Sequence, residues 1–200
     1  FERDDLLGLG AWNSTNTLPS GHTTVAAAGL VGLILVVPPS LRSITTAFGV
    51  IGVSAYGLAT LVNHWHRPSD IAAAVLVASA WGYLAVAAIR IAERAGRLRD
   101  RAHRPGATSV ILVMLAICGL ALSTAAGYLT WNIDPDTADV TSGFIAYVGG
   151  VSALVGVTCG ALGALLRLLD ATRPVPREQD RGAADDPAAR LTTESPLNNA

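Results

Sequence analysis

Two short polar clusters contain residue types suited to nucleophilic and acid–base chemistry, and each stands directly before an apolar run. The first is PSGHT at residues 19–23, and the second is NHWHRPSDI at residues 63–71. A histidine serves as nucleophile or general acid near neutral pH, and a nearby carboxylate determines which ring nitrogen stays free. Asp70 lies four residues after His66. The spacing therefore predicts a hydrogen bond from His66 to Asp70, with the other ring nitrogen available for reaction.

Both clusters also have the features of a helix N-terminus. Ser20 is a favourable N-cap, and Gly21 permits close approach of a ligand to the backbone. Pro68 suits the first position of a helix and disfavours helical backbone at Arg67. The first N–H groups of a helix have no partner within it and attract anions. Two such helix starts facing one pocket predict a site for an anionic group.

The elements that must position these clusters are apolar and long. Hydrophobic residues make up 51% of the 200 residues and charged residues 14%, with a mean hydropathy of +0.45. A membrane-spanning helix needs about 20 apolar residues. We predict an all-α, polytopic integral membrane helical bundle with about five transmembrane helices, at residues 21–38, 41–62, 68–90, 107–130 and 141–166.

The orientation follows from arginine. The stretch RIAERAGRLRDRAHR (90–104) carries six arginines, and short arginine-rich loops stay in the cytoplasm. The alternation of helices then puts both polar clusters on the extracytoplasmic side of a cell-membrane protein. It also puts four aromatic residues near the outer interface: Trp12, Trp65, Tyr128 and Trp131.

The chain divides into four predicted regions: 1–92, the C-terminal part of a membrane domain; 93–106, a cytoplasmic arginine-rich loop; 107–166, two additional transmembrane helices; and 167–200, a disordered cytoplasmic tail. The stretches GLVG (29–32) and GALGALL (160–166) predict faces for close helix packing. The chain begins at Phe1, and we expect a further segment upstream of it.

Other chemistries are disfavoured by composition. The net charge of −1 gives no basic field for nucleic acid. Cys118 and Cys159 have no CxxC or CxxH neighbour, and we expect both to be small buried residues. A metal site would draw its ligands from the first cluster's histidine and from the second cluster, namely His22, His64, His66 and Asp70. A His-x-His pair before a proline turn fits helical metal spacing poorly, so we predict no metal site.

Taken together, PSGHT and HRPSD (66–70) resemble the second and third motifs of the type 2 phosphatidic acid phosphatase superfamily. This family includes lipid phosphate phosphatases, undecaprenyl pyrophosphate phosphatases and vanadium-dependent haloperoxidases. The resemblance covers about residues 12–90. It implies that His66 attacks phosphorus and becomes a phosphohistidine, that Asp70 orients it, and that His22 protonates the leaving alkoxide and then activates water. It implies that Ser20 and Gly21 bind the phosphoryl oxygens, and that no metal or other cofactor is required.

The chain departs from the family pattern at two points. The first motif, lysine-x6-arginine-proline, is absent, and we expect it upstream of residue 1. The serine and arginine that open the family's third motif are replaced by Ala59 and Thr60. Arg67, next to the predicted nucleophile, is the candidate substitute for phosphate binding.

The predicted function is hydrolysis of a phosphate monoester or pyrophosphate on a lipid at the extracytoplasmic face. The expected substrates are lipid phosphates or polyprenyl pyrophosphates, and the surrounding partners are membrane lipids. A rival is a catalytically degenerate member that acts as a membrane scaffold or lipid-binding protein; Thr60 favours it, whereas the joint presence of His22, His66 and Asp70 argues against it. A vanadate-dependent haloperoxidase is disfavoured by the lipid-facing runs. The sequence indicates no oligomeric state.

Overall fold

The five predicted apolar segments are all helices. A computed structural model describes residues 18–63, 65–94, 106–131, 133 and 139–171. Within these ranges there are five α-helices and no strand: α1 (Gly21–Val36), α2 (Pro39–Val62), α3 (Pro68–Arg94), α4 (Ala107–Thr130) and α5 (Val140–Asp170). The predicted all-α fold class is confirmed.

Four of the five helices, α2 to α5, are long and apolar enough to cross a membrane. The chain is therefore compatible with a multi-pass membrane protein. Helix α1 has 16 residues, or about 24 Å at 1.5 Å per residue, which is short of the roughly 30 Å of a hydrocarbon core. It ends before the predicted residue 38 because Val37, which precedes Pro38, has extended backbone.

Side-chain caps mark the starts of α1 and α5. The Ser20 hydroxyl accepts a hydrogen bond from the Thr23 N–H, and the Asp139 carboxylate accepts one from the Ser142 N–H at 2.8 Å. This bond to the Ser142 N–H is the main cause that lowers the pKa of Asp139. Helix α5 continues to Asp170, beyond the end at residue 166 predicted for the fifth apolar segment.

Helix packing gives α5 a central position. Helix α1 packs against α2 and α3, whereas α5 packs against α2, α3 and α4. Helices α2 and α3 have little direct contact with each other, and each packs against both α1 and α5. Helix α4 packs mainly against α5. One cluster of buried residues joins α1, α2, α3 and α5, and it consists of Ala27, Val53, Val75, Ala78 and Ala161. A second and larger cluster joins all five helices.

Small residues allow α4 and α5 to approach closely. A Cβ built on Gly119 would lie 3.0 Å from the Gly156 Cα, and one built on Gly163 would lie 2.9 Å from the Leu112 Cβ. The predicted packing face at 160–166 is confirmed. The one predicted at 29–32 is wrong at both of its glycines, because Gly29 and Gly32 are exposed and a Cβ on either would meet nothing within 4 Å.

The two cysteines differ in their surroundings. Cys159 is buried in α5, as expected, whereas Cys118 is exposed. The expectation for Cys118 is wrong because α4 is only partly covered, and residue 118 lies off the face that carries its buried residues, such as Leu112 and Ala116.

Several predicted features fall on residues that the structure does not describe. They are Trp12, His64, most of the arginine-rich loop and the tail after residue 171. The predicted sidedness and regional division therefore remain predictions.

Candidate active site

One backbone hydrogen bond joins the two polar clusters. The N–H of Ser20, the N-cap of α1, donates to the carbonyl oxygen of Asp70 in the first turn of α3, at 3.0 Å. Both residues are fully buried. The starts of α1 and α3 therefore lie side by side at one end of the bundle, although about 50 residues separate them in the chain.

The N-terminus of α1 is closed on one side and open on the other. The Ser20 hydroxyl accepts from the Thr23 N–H at 3.4 Å and lies 3.1 Å from the Thr23 hydroxyl, with both side chains buried. Gly21 is exposed, and a Cβ built on it would meet nothing within 4 Å. Ser20 therefore acts as a cap, while Gly21 leaves open space in front of the first N–H groups of α1.

Asp70 organises the start of α3. Its Oδ2 accepts from the Arg67 N–H at 3.2 Å, and its Oδ1 accepts from the Ser69 hydroxyl at 3.3 Å. Its Oδ2 also lies 3.7 Å from Nδ1 of His66. That separation is within ion-pair range but too long for the hydrogen bond predicted from sequence, because the carboxylate is turned toward the backbone donor of Arg67.

The His66 ring is held with Nδ1 inward. Nδ1 is buried, with no hydrogen-bond partner among the described residues, and Asp70 is the carboxylate beside it. The Nε2 atom lies on the other side of the ring. The Asp70 carboxyl group therefore faces Nδ1, and Nε2 is the ring nitrogen on the side away from it.

His22 lies beside the turn that carries His66. Its ring centroid is 6.3 Å from that of Trp65, with a tilt of 39° between the ring planes. Both side chains are exposed, and Trp65 directly precedes His66 in the chain. The structure therefore places the two histidine-bearing segments, around His22 and His66, next to each other at the same end of the bundle.

Position 60 lies beneath the same turn. The Thr60 side chain is buried, and its hydroxyl donates to the Gly57 carbonyl at 2.8 Å. The Thr60 carbonyl accepts the Trp65 N–H at 3.0 Å. Thr60 therefore supports the turn through its backbone. Arg67, the candidate substitute cation, is half-buried at the other end of this turn.

A comparison with protein families assigns this region. The model of the PAP2 superfamily matches residues 3–94. The match covers slightly less than half of the 200-residue chain and includes both polar clusters. It confirms the resemblance predicted from the two motifs and supports a phosphatase-type activity in general. No curated protein and no solved structure matches the chain.

The PAP2 segment, residues 3–94, contains both polar clusters and helices α1 to α3. Helices α4 and α5 lie outside it. Among the described residues, no group of three or more His, Cys, Asp or Glu side chains is placed to hold a metal ion.

Sequence reasoning missed three residues that shape the site. Thr23 and Ser69 lie inside the PAP2 motifs and hydrogen-bond to Ser20 and Asp70, so a hydroxyl near each cap was an available sign. The third, Gly150 of α5, contacts the start of α3. No local sequence pattern predicts that contact, because Gly150 and Pro68 are far apart in the chain.

Proposed function

We propose that the chain hydrolyses a phosphate monoester or pyrophosphate on a lipid, at the extracytoplasmic face, through a phosphohistidine. The observation that carries the proposal is the 3.0 Å hydrogen bond from the Ser20 N–H to the Asp70 carbonyl. It brings together two helix starts, one followed by His22 and the other preceded by His66. Transfer of a phosphoryl group needs this combination of a nucleophile, a proton donor and fixed N–H dipoles.

In the first step, Nε2 of His66 attacks phosphorus, a P–N bond forms, and the P–O bond to the lipid breaks. His22 gives its proton to the departing oxygen. The imidazole of His66 gains positive charge in this step, and the carboxylate of Asp70, 3.7 Å from Nδ1, stabilises it.

In the second step, water attacks the same phosphorus and the P–N bond breaks. His22 now accepts a proton from the water, and inorganic phosphate leaves with His66 restored. One water is consumed, and the products are phosphate and a lipid alcohol. A lipid pyrophosphate would yield a lipid monophosphate instead.

Negative charge on the phosphoryl oxygens needs more than helix dipoles. A helix N-terminus contributes roughly 0.3–1 kcal/mol when exposed and up to about 2 kcal/mol when partly buried. Phosphoryl transfer relies on charged groups that hold the oxygens in place. We assign this role to Arg67, which lies next to His66.

The depth of the site supports a lipid substrate. Gly150 contacts Pro68, and its neighbour Gly149 contacts Ala126, so these residues lie at one level of the bundle. At 1.5 Å per residue, two exposed aromatic residues of the α4 end lie about 3 and about 8 Å further out: Tyr128 and Trp131. Aromatic residues of this kind mark a membrane interface. The site then lies close to the level at which a lipid presents its phosphate.

One observation favours the rival function, a degenerate scaffold or lipid-binding member. Thr60 is buried and bonded to Gly57, so position 60 presents no cation to the site. A protein of this kind would bind a lipid phosphate at the adjoining starts of α1 and α3 without cleaving it.

The test is trapping of the phosphoenzyme. The full chain in membranes is incubated with phosphorus-labelled lipid phosphates and pyrophosphates, quenched, and digested for mass spectrometry. We expect acid-labile, base-stable phosphate on His66, loss of turnover in His66→Ala, and accumulation of label in His22→Ala when the leaving group is good. His64→Ala is the matched control and should retain turnover. Hydrolysis without label on His66 would refute the covalent route, and binding without hydrolysis would favour the rival.

A further inference from the structure

Helix α5 contacts the candidate active site although it lies outside the PAP2 segment. Gly150 of α5 faces Pro68, the first residue of α3: a Cβ built on Gly150 would lie 2.8 Å from the Pro68 Cγ and 3.4 Å from its Cβ. Only a residue without a side chain lets the Pro68 ring approach the α5 backbone this closely. The contact lies two residues from His66 and two from Asp70.

One helical turn further into the bundle, α2 also contacts α3 and α5. A Cβ on Gly57 of α2 would lie 2.7 Å from the Ile71 Cγ2 and 3.4 Å from the Leu154 Cδ2. Ile71 and Leu154 are both fully buried. Since Gly57 also accepts the Thr60 hydroxyl, the support beneath the turn at 63–67 includes α5 as well as α2 and α3.

Pro68 connects this support to the reacting groups. It lies between Arg67 and Ser69, whose N–H and hydroxyl both donate to the Asp70 carboxylate. The proline ring has a fixed φ and little freedom to yield. A displacement of Pro68 therefore moves both donors and alters the distance between Asp70 and His66.

We propose that α5 is part of the candidate active site, and that Gly150 is a positioning residue that seats Pro68 and so holds the His66–Asp70 pair. This inference rests on the proposed function. It extends the catalytic unit from the PAP2 segment to a helix that the family match leaves out. Two further bonds anchor α5 on α3 deeper in the bundle, since the Tyr83 hydroxyl donates to the Ala161 carbonyl at 2.6 Å and the Arg90 guanidinium to the Leu168 carbonyl at 2.8 Å.

Adjacent glycines of α5 provide a matched pair of variants. Gly150→Ala puts a Cβ 2.8 Å from Pro68, and ordinary contact begins at 3.4 Å, so α3 and α5 must separate by about 0.6 Å. Gly149→Ala puts a Cβ 2.6 Å from the Ala126 Cβ of α4. Helices α4 and α5 must then separate by about 0.8 Å, on the side of α5 away from the site. Gly143→Ala meets nothing within 4 Å and controls for the substitution itself.

Steady-state hydrolysis by the full chain, normalised to folded protein, is compared with thermal unfolding. A misplacement of about 1 Å can cost about 100-fold in rate, so about 0.6 Å predicts a loss of kcat near tenfold in Gly150→Ala, with KM changed less. Gly149→Ala should lose more thermal stability and retain kcat within about threefold. An equal loss of kcat in both variants, or an unchanged kcat in Gly150→Ala, would overturn the inference.

A second measurement does not depend on turnover, and so separates failure of this inference from failure of the proposed function. Diethyl pyrocarbonate modifies accessible imidazoles, and mass spectrometry gives the rate at His66 relative to exposed His22. Gly150→Ala should change this ratio by at least about threefold, whereas Gly149→Ala should leave it unchanged. A constant ratio in both variants would refute positioning even in a chain that hydrolyses no phosphate ester.

Discussion

Replacing Asp70 by asparagine tests the electrostatic core of the proposed mechanism. The substitution keeps the size of the side chain and removes its charge. The fully buried carboxylate lies 3.7 Å from Nδ1 of His66, and it is the group proposed to stabilise the imidazolium. Only the part of that interaction that strengthens in the transition state contributes to kcat.

The magnitude lies between two bounds. A hydrogen bond to a charged group is worth about 1.5–3 kcal/mol. Two unit charges about 4 Å apart interact by about 4 kcal/mol at an effective dielectric constant of about 20. Since each 1.36 kcal/mol is a factor of ten in rate, the bounds are about tenfold and about 1,000-fold. At 3.7 Å, beyond hydrogen-bond length, we expect a loss of kcat of about 100-fold in Asp70→Asn.

The assay is phosphate release from lipid phosphates by the full chain in proteoliposomes, divided by the amount of folded protein. Activity must be normalised to folded protein because the asparagine amide leaves one buried donor or acceptor without a partner. This lowers the free energy of unfolding by about 1–3 kcal/mol. Asp170→Asn is the matched control, since Asp170 is also a buried aspartate but lies at the opposite end of α5. Ser69→Ala removes one bond to the carboxylate without changing its charge and should cost less than about fivefold. Activity of Asp70→Asn within about threefold of the unmodified chain, or an equal loss in Asp170→Asn, would refute the reasoning.

Two further predictions follow from the predicted topology and from the altered third motif. A single cysteine at Asn63, in a background without the native cysteines, should react with an impermeant thiol reagent added outside intact cells, whereas one at Arg99 should not; the reverse pattern would move the site to the cytoplasm. Arg67→Ala should lower kcat/KM by about 10- to 100-fold, because a charged hydrogen bond to phosphate is worth about 1.5–3 kcal/mol. Thr60→Arg should partly restore kcat/KM in that variant, because position 60 lies beneath the same turn; an unaffected Arg67→Ala would mean that other groups hold the phosphate.

Much of the fold was predictable from local sequence. Helix starts at Gly21 and Pro68 follow from a serine cap and a proline at the first position, and both agree with the structure. The existence of five helices follows from the length of the apolar runs. Each of these properties depends on residues within one or two helical turns, so a linear reading recovers them.

That the two polar clusters lie at the same end of the bundle was also predictable, but the contacts between them were not. The alternation of helices predicts that Ser20 and Asp70 lie on one side of a membrane, yet it says nothing of the hydrogen bond between them. The sequence led to the expectation of a hydrogen bond from His66 to Asp70, whereas the carboxylate accepts from Arg67 instead. A difference of a few tenths of an ångström between two such distances depends on how the turn is held by its neighbours. Local sequence rules do not specify this.

Helix pairing was decided by tertiary structure. All five helices are rich in alanine, glycine and leucine, so composition does not indicate which small residue meets which neighbour. Gly29 faces open space, whereas Gly150 seats Pro68 across a long stretch of chain. The difference arises from close packing, which acts over less than 4 Å and only after the helices have met. The sequence by itself therefore determined the helices and the candidate reactive residue types, whereas only the tertiary structure decided that α5 packs against α2 and α3 beside them.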